Sequence, residues 1–257
     1  MPISLYKKGL KTSSQQILNK WKSGEKHCRT HFIQQTFGAQ YPEKYIDLSL
    51  YVDALINILD DFFDEDLTKE VKGMYIIECL RLMSLLISFS HLSKIQEELG
   101  VYFEKLITLA LAEDFYEKKI SQTEDYQKII EFSAQLLLCR AQDIEIFTEI
   151  ALLDYKNKED KKSIIELSRI FRAINIFKKD INDREHDRSN NIKTVTLTIE
   201  DKGIDFKKYS GDLGDYLSKK VKNINKPASQ KLLKVFQNFE REIQKEKRGI
   251  SGAGLEF

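Results

Sequence analysis

The chain has 257 residues, of which 42% are hydrophobic and 32% are charged, so it can bury a sizeable core. Its 41 basic and 40 acidic side chains leave a net charge of +1. The overall charge therefore attracts neither nucleic acid nor an anionic membrane, and we do not expect nucleic acid as a partner. No apolar run reaches the roughly 18 residues that a spanning helix needs, so we expect no transmembrane segment. The three cysteines lack metal-type spacing and predict reduced, mostly buried thiols in a cytoplasmic protein.

The distribution of proline and glycine predicts an all-α protein. No proline lies between Pro42 and Pro227, and residues 101–202 contain no glycine, so most of the chain lacks the turn residues of β-hairpins. Apolar residues recur at three- and four-residue spacing, as at Ile129, Phe132 and Leu136, which is the period of an amphipathic helix. In chain order, we predict helices over residues 12–37, 44–65, 70–92, 95–119, 123–154, 160–187, 209–223 and 227–247.

The same pattern predicts a single domain over residues 1–247, because no stretch rich in proline, glycine or serine divides it. A charged connector is expected at 154–162, and the Asn-, Thr- and Lys-containing residues 188–208 are expected to form a loop. We expect residues 248–257 to form a frayed tail, part of which derives from cloning.

An acidic cluster ends the second predicted helix, in the sequence LSLYVDALINILDDFFDED. Asp60 and Asp64 are four residues apart and share one helical face, with Asp61 beside them. Asn57 and Asp53 continue that face into an apolar segment, where polar groups need partners. Carboxylates on one face repel one another, and Mg2+ would offset that repulsion because it binds hard oxygen ligands and phosphate. A solvated helix end is the alternative interpretation.

A second acidic cluster lies in the sequence IFRAINIFKKDINDREHDRSNN. Asp180, Asp183 and Asp187 are spaced by three and four residues and share a predicted helical face, which Ile176 continues upstream. Basic residues surround the cluster, so a solvated face of mixed charge is again the alternative. Two such helix ends that face one another could hold two or three Mg2+ ions, which would bind a diphosphate and stabilise its charge as the bond to carbon breaks.

In this order, the two clusters resemble the acidic motifs of the class I isoprenoid synthases, and most closely those of the trans-prenyl diphosphate synthases such as geranylgeranyl diphosphate synthase. The first motif of that family, DDxxD, is matched by Asp60, Asp61 and Asp64. The second motif, FQxxDDxxD, is matched at its later two aspartates by Asp180 and Asp183. Terpene synthases share the first motif, and the DxxxD motif of phytoene and squalene synthases also fits the second cluster.

Basic residues extend the resemblance over roughly residues 20–200. The string GEKHCRT resembles the family motif GKxxRT through Lys26, Arg29 and Thr30. Arg140, in CRAQ, stands where the family has a lysine one helix ahead of the second acidic motif, and Lys179 replaces the first aspartate of that motif. The resemblance implies that these basic side chains hold diphosphate oxygens.

The sequence departs from the family mainly at the site of the second substrate, isopentenyl diphosphate. The Arg-Arg-Gly segment that follows DDxxD in the family is represented here only by Lys69, Lys72 and Gly73. A histidine that belongs to the isopentenyl site, one heptad before DDxxD, is Asp53 in this chain. These departures favour ionisation of one allylic diphosphate over chain elongation.

The resemblance implies a single-domain antiparallel helical bundle of the isoprenoid synthase type, with a central cavity that takes an allylic prenyl diphosphate and two or three Mg2+ ions. Family members commonly form homodimers, an option that the sequence leaves open. The implied catalytic acids are Asp60, Asp61, Asp64, Asp180 and Asp183, and the implied metal ligands are Asp60, Asp64, Asp180, Asp183 and Asp187. The implied diphosphate ligands are Lys26, Arg29, Arg140 and Lys179, and the implied cavity residues are Asn57, Phe63, Ile176 and Phe177.

Three functions remain open on the sequence alone. The first is an enzyme that ionises an allylic prenyl diphosphate and guides the carbocation to a terpene. The second is a prenyl diphosphate synthase that still adds isopentenyl diphosphate, which Lys26 and Arg29 favour. The third is a non-catalytic subunit of a heteromeric synthase, which Lys179 and the missing arginines favour.

Overall fold

The computed structural model describes residues 29–64, 69–88, 96–189 and 194–252. Within these ranges there are eleven α-helices and no strand, which confirms the predicted all-α class. Short 3-10 turns lie at Gly38–Gln40, Glu43–Tyr45 and Ala141–Ile144. The helices are α1 (Arg29–Phe37), α2 (Ile46–Asp64), α3 (Lys69–Ile87), α4 (Gln96–Gln122), α5 (Tyr126–Arg140), α6 (Glu145–Ala151), α7 (Lys158–Asn182), α8 (Arg184–Ser189), α9 (Val195–Asp201), α10 (Phe206–Val221) and α11 (Gln230–Gly252).

The chain packs as two compact units. The first comprises the described residues up to Glu97 together with Glu149–Asp154, and the second comprises Glu98–Thr148 and the described residues from Tyr155 onward. The predicted single domain spans both units and stays a prediction. Among the described residues, no helix combines the length and the apolar character needed to cross a membrane.

Helix α2 supplies most of the core of the first unit. Leu48, Val52 and Ile56 recur every four residues and are at most 1% exposed, so one apolar face is buried along most of the helix. Both α1 and α3 pack against α2. At the start of α2, the Tyr45 hydroxyl donates a hydrogen bond of 2.8 Å to the carboxylate of Asp154. The acidic end of α2 therefore belongs to a helix that packing holds in place.

Helix α7 is the central helix of the second unit and contacts α5, α10 and α11. Its core face is apolar, and Leu167 and Ile174 are fully buried. Phe171 meets Phe239 of α11 edge-on with ring centres 5.8 Å apart, and Phe177 meets Tyr209 of α10 in the same way at 6.0 Å. Packing on three sides therefore defines where the acidic end of α7 lies within this unit.

The buried carboxylate of Asp160 joins helix α7 to the residues directly before helix α11. Asp160, in the first turn of α7, is only 5% exposed and accepts hydrogen bonds from the backbone N–H groups of Ala228 at 2.9 Å and Ser229 at 3.0 Å. These residues directly precede α11. An acid in the first turn of a helix is also favoured by the helix dipole.

The predicted helix 123–154 is interrupted. Asp125 caps the start of α5 by accepting hydrogen bonds from the N–H groups of Gln127 and Lys128. At the other end, Ala141 has φ −75° and ψ 0°, and the chain tightens into the 3-10 turn before α6. This turn brings Asp143 and Ile144 into buried positions. No glycine or proline marks the break, so the sequence pattern gave no warning of it.

The segment 188–208, expected to be a loop, is partly helical. Thr194 caps α9 by accepting a hydrogen bond from the N–H of Leu197. Thr196 and Ile199 are buried, so tertiary packing stabilises this short helix in spite of its β-branched composition. Helix α10 then begins at Phe206, three residues before its predicted start.

Three smaller predictions also need correction. The predicted helix 160–187 divides at Asp183, where φ is −86° and ψ is −4°, so the second acidic cluster does not lie on one continuous helix. Residues 248–252 belong to α11 rather than to a frayed tail, because the buried Ile250 holds this end, and residues 253–257 lie outside the described residues. Cys79 and Cys139 are half-buried rather than buried, and burial raises the pKa of the Cys139 thiol.

Candidate functional site

The first acidic cluster lies at the C-terminal end of α2. Asp60, Asp61 and Asp64 are in its last turns, and Asp64 is the last residue of the helix. The backbone there is helical, so the predicted four-residue relationship between Asp60 and Asp64 is present. The side chains of these residues and of Phe63 lie outside the described part of the structure, as does the whole of Lys26.

Upstream on α2, the buried polar side chains satisfy one another. The carboxylate of Asp53 is fully buried and pairs with the Arg29 guanidinium, with 3.2 Å between Nη1 and Oδ1. It also accepts a hydrogen bond of 3.2 Å from the backbone N–H of Thr30, in the first turn of α1. Asn57 donates hydrogen bonds to the backbone oxygen of Asp53 at 2.7 Å and to its carboxylate at 3.1 Å. The predicted diphosphate ligand Arg29 is thus engaged by an internal acid.

The second acidic cluster begins with an ion pair. Arg140, the last residue of α5, donates to both carboxylate oxygens of Asp180 on α7, at 2.7 Å and 3.4 Å. The Nε of Arg140 lies 3.5 Å from the carboxylate of Glu113 on α4. The pair is sheltered, since the side chain of Asp180 is 13% exposed and that of Arg140 is 35% exposed. A predicted metal ligand and a predicted diphosphate ligand therefore bind each other.

Burial and pairing perturb both groups of this ion pair. Burial raises the pKa of Asp180 above its ordinary value, and the attraction of Arg140 offsets that only in part. Burial is the largest single influence on the pKa of Arg140 and lowers it, but the carboxylates of Asp180, Glu113 and Glu117 together raise it above its ordinary value. Titratable groups with perturbed pKa values are enriched at functional sites, although structural ion pairs produce the same signature.

The remaining acids of the second cluster are more open to solvent. Asp183 is 44% exposed and lies 4.0 Å from the Nζ of Lys179, which is itself 78% exposed. Asp187 lies on α8 and is partly exposed. The predicted cavity residues Ile176 and Phe177 are buried in the core of the second unit. Their role in lining a cavity stays a prediction.

The second unit contains two further acid–base pairs that the sequence did not predict. Asp143 receives hydrogen bonds from Arg172 at 3.1 Å and 2.8 Å. Glu145 pairs with Arg169 at 3.0 Å and with Lys105. The acids belong to the turn and helix that follow α5, and both arginines lie on α7. The sequence shows acids in RAQDIE and arginines in SRIFR, but neither segment indicates that they pair across helices.

Two buried hydroxyls lie in the same part of the second unit. Tyr209 on α10 is fully buried, and Ser133 on α5 is 1% exposed. Within the described chain, neither hydroxyl has a hydrogen-bond partner. Burial raises the pKa of Tyr209, the neighbouring Ser133 lowers it in part, and the charge of Asp180 raises it further. A buried hydroxyl without a well-formed hydrogen bond costs about 1–3 kcal/mol.

The donor atoms suit magnesium, but the described side chains do not form a complete metal site. Carboxylate oxygens are the ligands that Mg2+ prefers. Among the described residues, however, no group of three or more His, Cys, Asp or Glu side chains is arranged to hold a metal ion. In the second cluster, Asp180 faces Arg140 and Asp183 faces Lys179. The predicted magnesium site is therefore not formed by the described side chains, and it stays a prediction.

Comparison with known proteins adds no further constraint on the site. No family model, no curated protein and no solved structure matches the chain. The assignment of function therefore depends on the residues and contacts described above.

Proposed function

We propose that the chain is a Mg2+-dependent class I isoprenoid synthase that ionises an allylic prenyl diphosphate and guides the resulting carbocation to a terpene. The observation that carries the proposal is the position of both acidic clusters at helix C-termini. Asp64 ends α2, and Asp180 lies in the last turn of α7. Negative side chains are unfavourable there because the C-terminal end of a helix dipole is itself negative. Arg140 offsets this repulsion in part at Asp180, and bound cations would offset it at both helix ends.

The second unit supplies cations for the leaving group. Arg140 presents a planar fork of N–H donors that matches phosphate oxygens, and Lys179, the residue directly before Asp180, adds an exposed ammonium group. When bound, magnesium would supply the positive charge that draws electrons onto the leaving diphosphate. In the reaction, the bond between the allylic carbon and oxygen breaks and its electron pair leaves with the diphosphate. The carbon skeleton then loses a proton to give a hydrocarbon, or takes up water and loses a proton to give an alcohol.

The proposed fold is the antiparallel bundle of the isoprenoid synthases, with a central cavity that excludes water from the carbocation. The apolar composition of α2 and α7 directly before their acidic ends supports it, since Ile56 and Phe177 are at most 2% exposed. In this arrangement Asn57, Phe63, Ile176 and Phe177 would border the hydrocarbon chain.

Chain elongation with isopentenyl diphosphate is the less favoured alternative. Elongation needs a second diphosphate site, and Arg29 is the described residue that the resemblance assigns to it. Its guanidinium is 13% exposed and already paired with the buried carboxylate of Asp53. A second diphosphate would have to break this buried ion pair, at a cost of about 3–5 kcal/mol.

A non-catalytic subunit of a heteromeric synthase is a second candidate. It is favoured by the pairing of Asp180 with Arg140 and of Asp183 with Lys179, which neutralises acids that an enzyme would use. The enzyme and the subunit differ in one property, which is turnover by the purified chain.

The deciding experiment measures Mg2+-dependent release of diphosphate from geranyl, farnesyl and geranylgeranyl diphosphates, each with and without isopentenyl diphosphate. Release without isopentenyl diphosphate, giving a hydrocarbon or an alcohol, supports the proposal. The double variant Asp60→Asn, Asp64→Asn should lower the rate by at least about 100-fold, because the charge that stabilises the leaving group is lost. Asp47→Asn, at the other end of the same helix, is the matched control.

The other outcomes separate the alternatives. A longer diphosphate formed only when isopentenyl diphosphate is present would establish elongation. No turnover in any mixture, together with normal folding of the double variant, would favour the subunit.

A further inference from the structure

An open cleft of about 750 Å³ lies along the exposed face of α11, opposite the face that buries Phe239 and Ile243. Four exposed side chains of this face, which we call the donor stripe, follow one another at spacings of four, three and four residues. They are Gln237, Arg241, Gln244 and Arg248. Together with Glu240 and Lys245 they are the described residues that line the cleft. At the rise of an α-helix, the stripe is roughly 16 Å long.

Two arginines of the donor stripe have no acidic partner. Within the described chain, no carboxylate lies at ion-pair distance from Arg241 or Arg248, and Arg241 donates a hydrogen bond to the neutral amide of Asn238. Every other arginine described in the second unit pairs with a carboxylate. These are Arg140, Arg169, Arg172, Arg184 and Arg188. Because the guanidinium fork matches an oxyanion, the two exceptions leave donors for an anionic ligand.

The other charges of the cleft are compensated within the chain. Glu240 lies 3.8 Å from Lys226, and Lys245 lies 3.5 Å from the carboxylate three residues before it. The helix dipole favours a cation at Arg248, in the last turn of α11, but its effect does not extend to Arg241, roughly three turns before the end of the helix. Neither internal pairing nor the dipole therefore accounts for both arginines.

We propose that the donor stripe binds an acidic helix of a partner protein. Spacings of four, three and four residues are those of a seam between two helices. Arg241 and Arg248 are seven residues apart, or roughly 10 Å along the axis, so they match two carboxylates one heptad apart on the partner. Gln237 and Gln244 add amide donors and acceptors between them. This interaction is separate from the proposed catalytic function.

Glu240 favours a protein partner over a nucleic acid. Its carboxylate lines the same cleft and repels a ligand that is negative along its whole length. A protein helix can place an uncharged or basic residue opposite this acid, and such complementarity gives specificity. The net charge of +1 for the whole chain also provides no long-range attraction for a nucleic acid.

The first test measures the binding of two synthetic, alanine-rich helical peptides to the full chain by isothermal titration calorimetry at low ionic strength. One peptide carries two glutamates seven residues apart, on one face. The other has the same composition with the glutamates five residues apart, on different faces. We expect the first peptide to bind about tenfold more tightly, because only it can engage both arginines by charge-assisted hydrogen bonds. Equal affinities, or no binding of the first peptide, would overturn the inference.

Substitutions on the exposed face locate the site. The double variant Arg241→Gln, Arg248→Gln should weaken binding of the first peptide at least about tenfold. Arg241→Lys, Arg248→Lys keeps the charge but loses the planar fork, so it should weaken binding less, by about threefold. Lys207→Gln, Lys219→Gln removes the same charge from exposed positions of α10 and is the matched control. An equal loss in this control would show that net charge alone attracts the peptide, and would overturn the inference.

A short single-stranded oligonucleotide, offered under the same conditions, tests the choice of partner. If it bound more tightly than the first peptide and lost affinity in Arg241→Gln, Arg248→Gln, the ligand would be phosphate and the acidic helix would be wrong. None of these measurements needs metal or an allylic diphosphate. Failure of the proposed catalytic function therefore leaves their outcome unaffected.

Discussion

Arg29 and Asp53 are 24 residues apart in the sequence and form a buried ion pair of 3.2 Å that joins α1 to α2. The same carboxylate binds the backbone N–H of Thr30 and the amide of Asn57. Asp53 thus pairs with the arginine and at the same time accepts a hydrogen bond from a backbone N–H in the first turn of α1. Asp53 therefore links α1 and α2 within the first unit.

Asp53→Asn should lower the free energy of unfolding by about 3 kcal/mol, because it removes the negative charge from a buried ion pair. Urea denaturation followed by circular dichroism measures the change. Asp47→Asn, on the exposed side of the same helix, should cost less than about 1 kcal/mol. Equal losses in the two variants would show that the buried pair contributes nothing beyond an ordinary surface charge.

Tyr209→Phe should leave the ligand-free protein as stable as before or stabilise it by up to about 1 kcal/mol, because the phenolic hydroxyl is buried and has no partner in the described structure. Tyr45→Phe is the matched control. It removes a hydrogen bond of 2.8 Å to Asp154 and should cost about 1 kcal/mol. If Tyr209→Phe lost as much stability as the control, the Tyr209 hydroxyl would have to make a stabilising hydrogen bond, which would contradict this prediction.

The raised pKa of Asp180 predicts a pH dependence with a definite sign. A carboxyl group whose pKa is higher in the folded than in the unfolded state binds a proton more readily when folded. Its contribution to the free energy of unfolding therefore rises as the pH falls from neutrality through the raised pKa towards the ordinary value of an aspartate. Asp180→Asn should remove this contribution. A pH series of urea denaturation curves, compared with Asp143→Asn, tests the difference.

An apolar stripe on α3 predicts that the protein forms a homodimer. Ile76, Leu80, Met83 and Ile87 are spaced by four, three and four residues, the spacing of a helix–helix seam, and each is at least 50% exposed. Exposed apolar residues grouped in this way indicate an interaction surface, and a second copy of the same helix offers a matching one.

The double variant Leu80→Glu, Met83→Glu should shift the protein from dimer to monomer in light scattering coupled to gel filtration. Arg81→Gln, on the same helix but outside the stripe, should leave the dimer intact. A parent protein that is monomeric at every concentration tested would remove the basis for this prediction.

The sequence was most informative where one local signal acts alone. The lack of proline and glycine from residue 101 to residue 202 correctly predicted helices there, and the spacing of Asp60 and Asp64 correctly placed both on one helix. It failed at Ala141 and Thr194, where tertiary packing decides whether the chain turns or stays helical. Whether the two acidic clusters face one another stays a prediction.

The partners of individual charged residues were beyond sequence reasoning for the same reason. Arg140 and Asp180 are 40 residues apart, and nothing in either segment indicates that the two side chains meet. Both were singled out as ligands for other species, and the structure shows that they bind each other. Pairing across helices depends on how the helices pack, which periodicity does not reveal.

The contact of Asp160 with Ala228 and Ser229 has a consequence for folding during synthesis. The carboxylate lies 68 residues before the first of the two backbone groups that satisfy it, so it has no such partner until the end of the chain is made. Helix α11 also packs along α7, the central helix of the second unit. A ribosome-bound chain that ends before Ala228 should therefore hold α7 in a loosely packed state, and a C-terminal truncation should unfold the whole unit instead of merely shortening it.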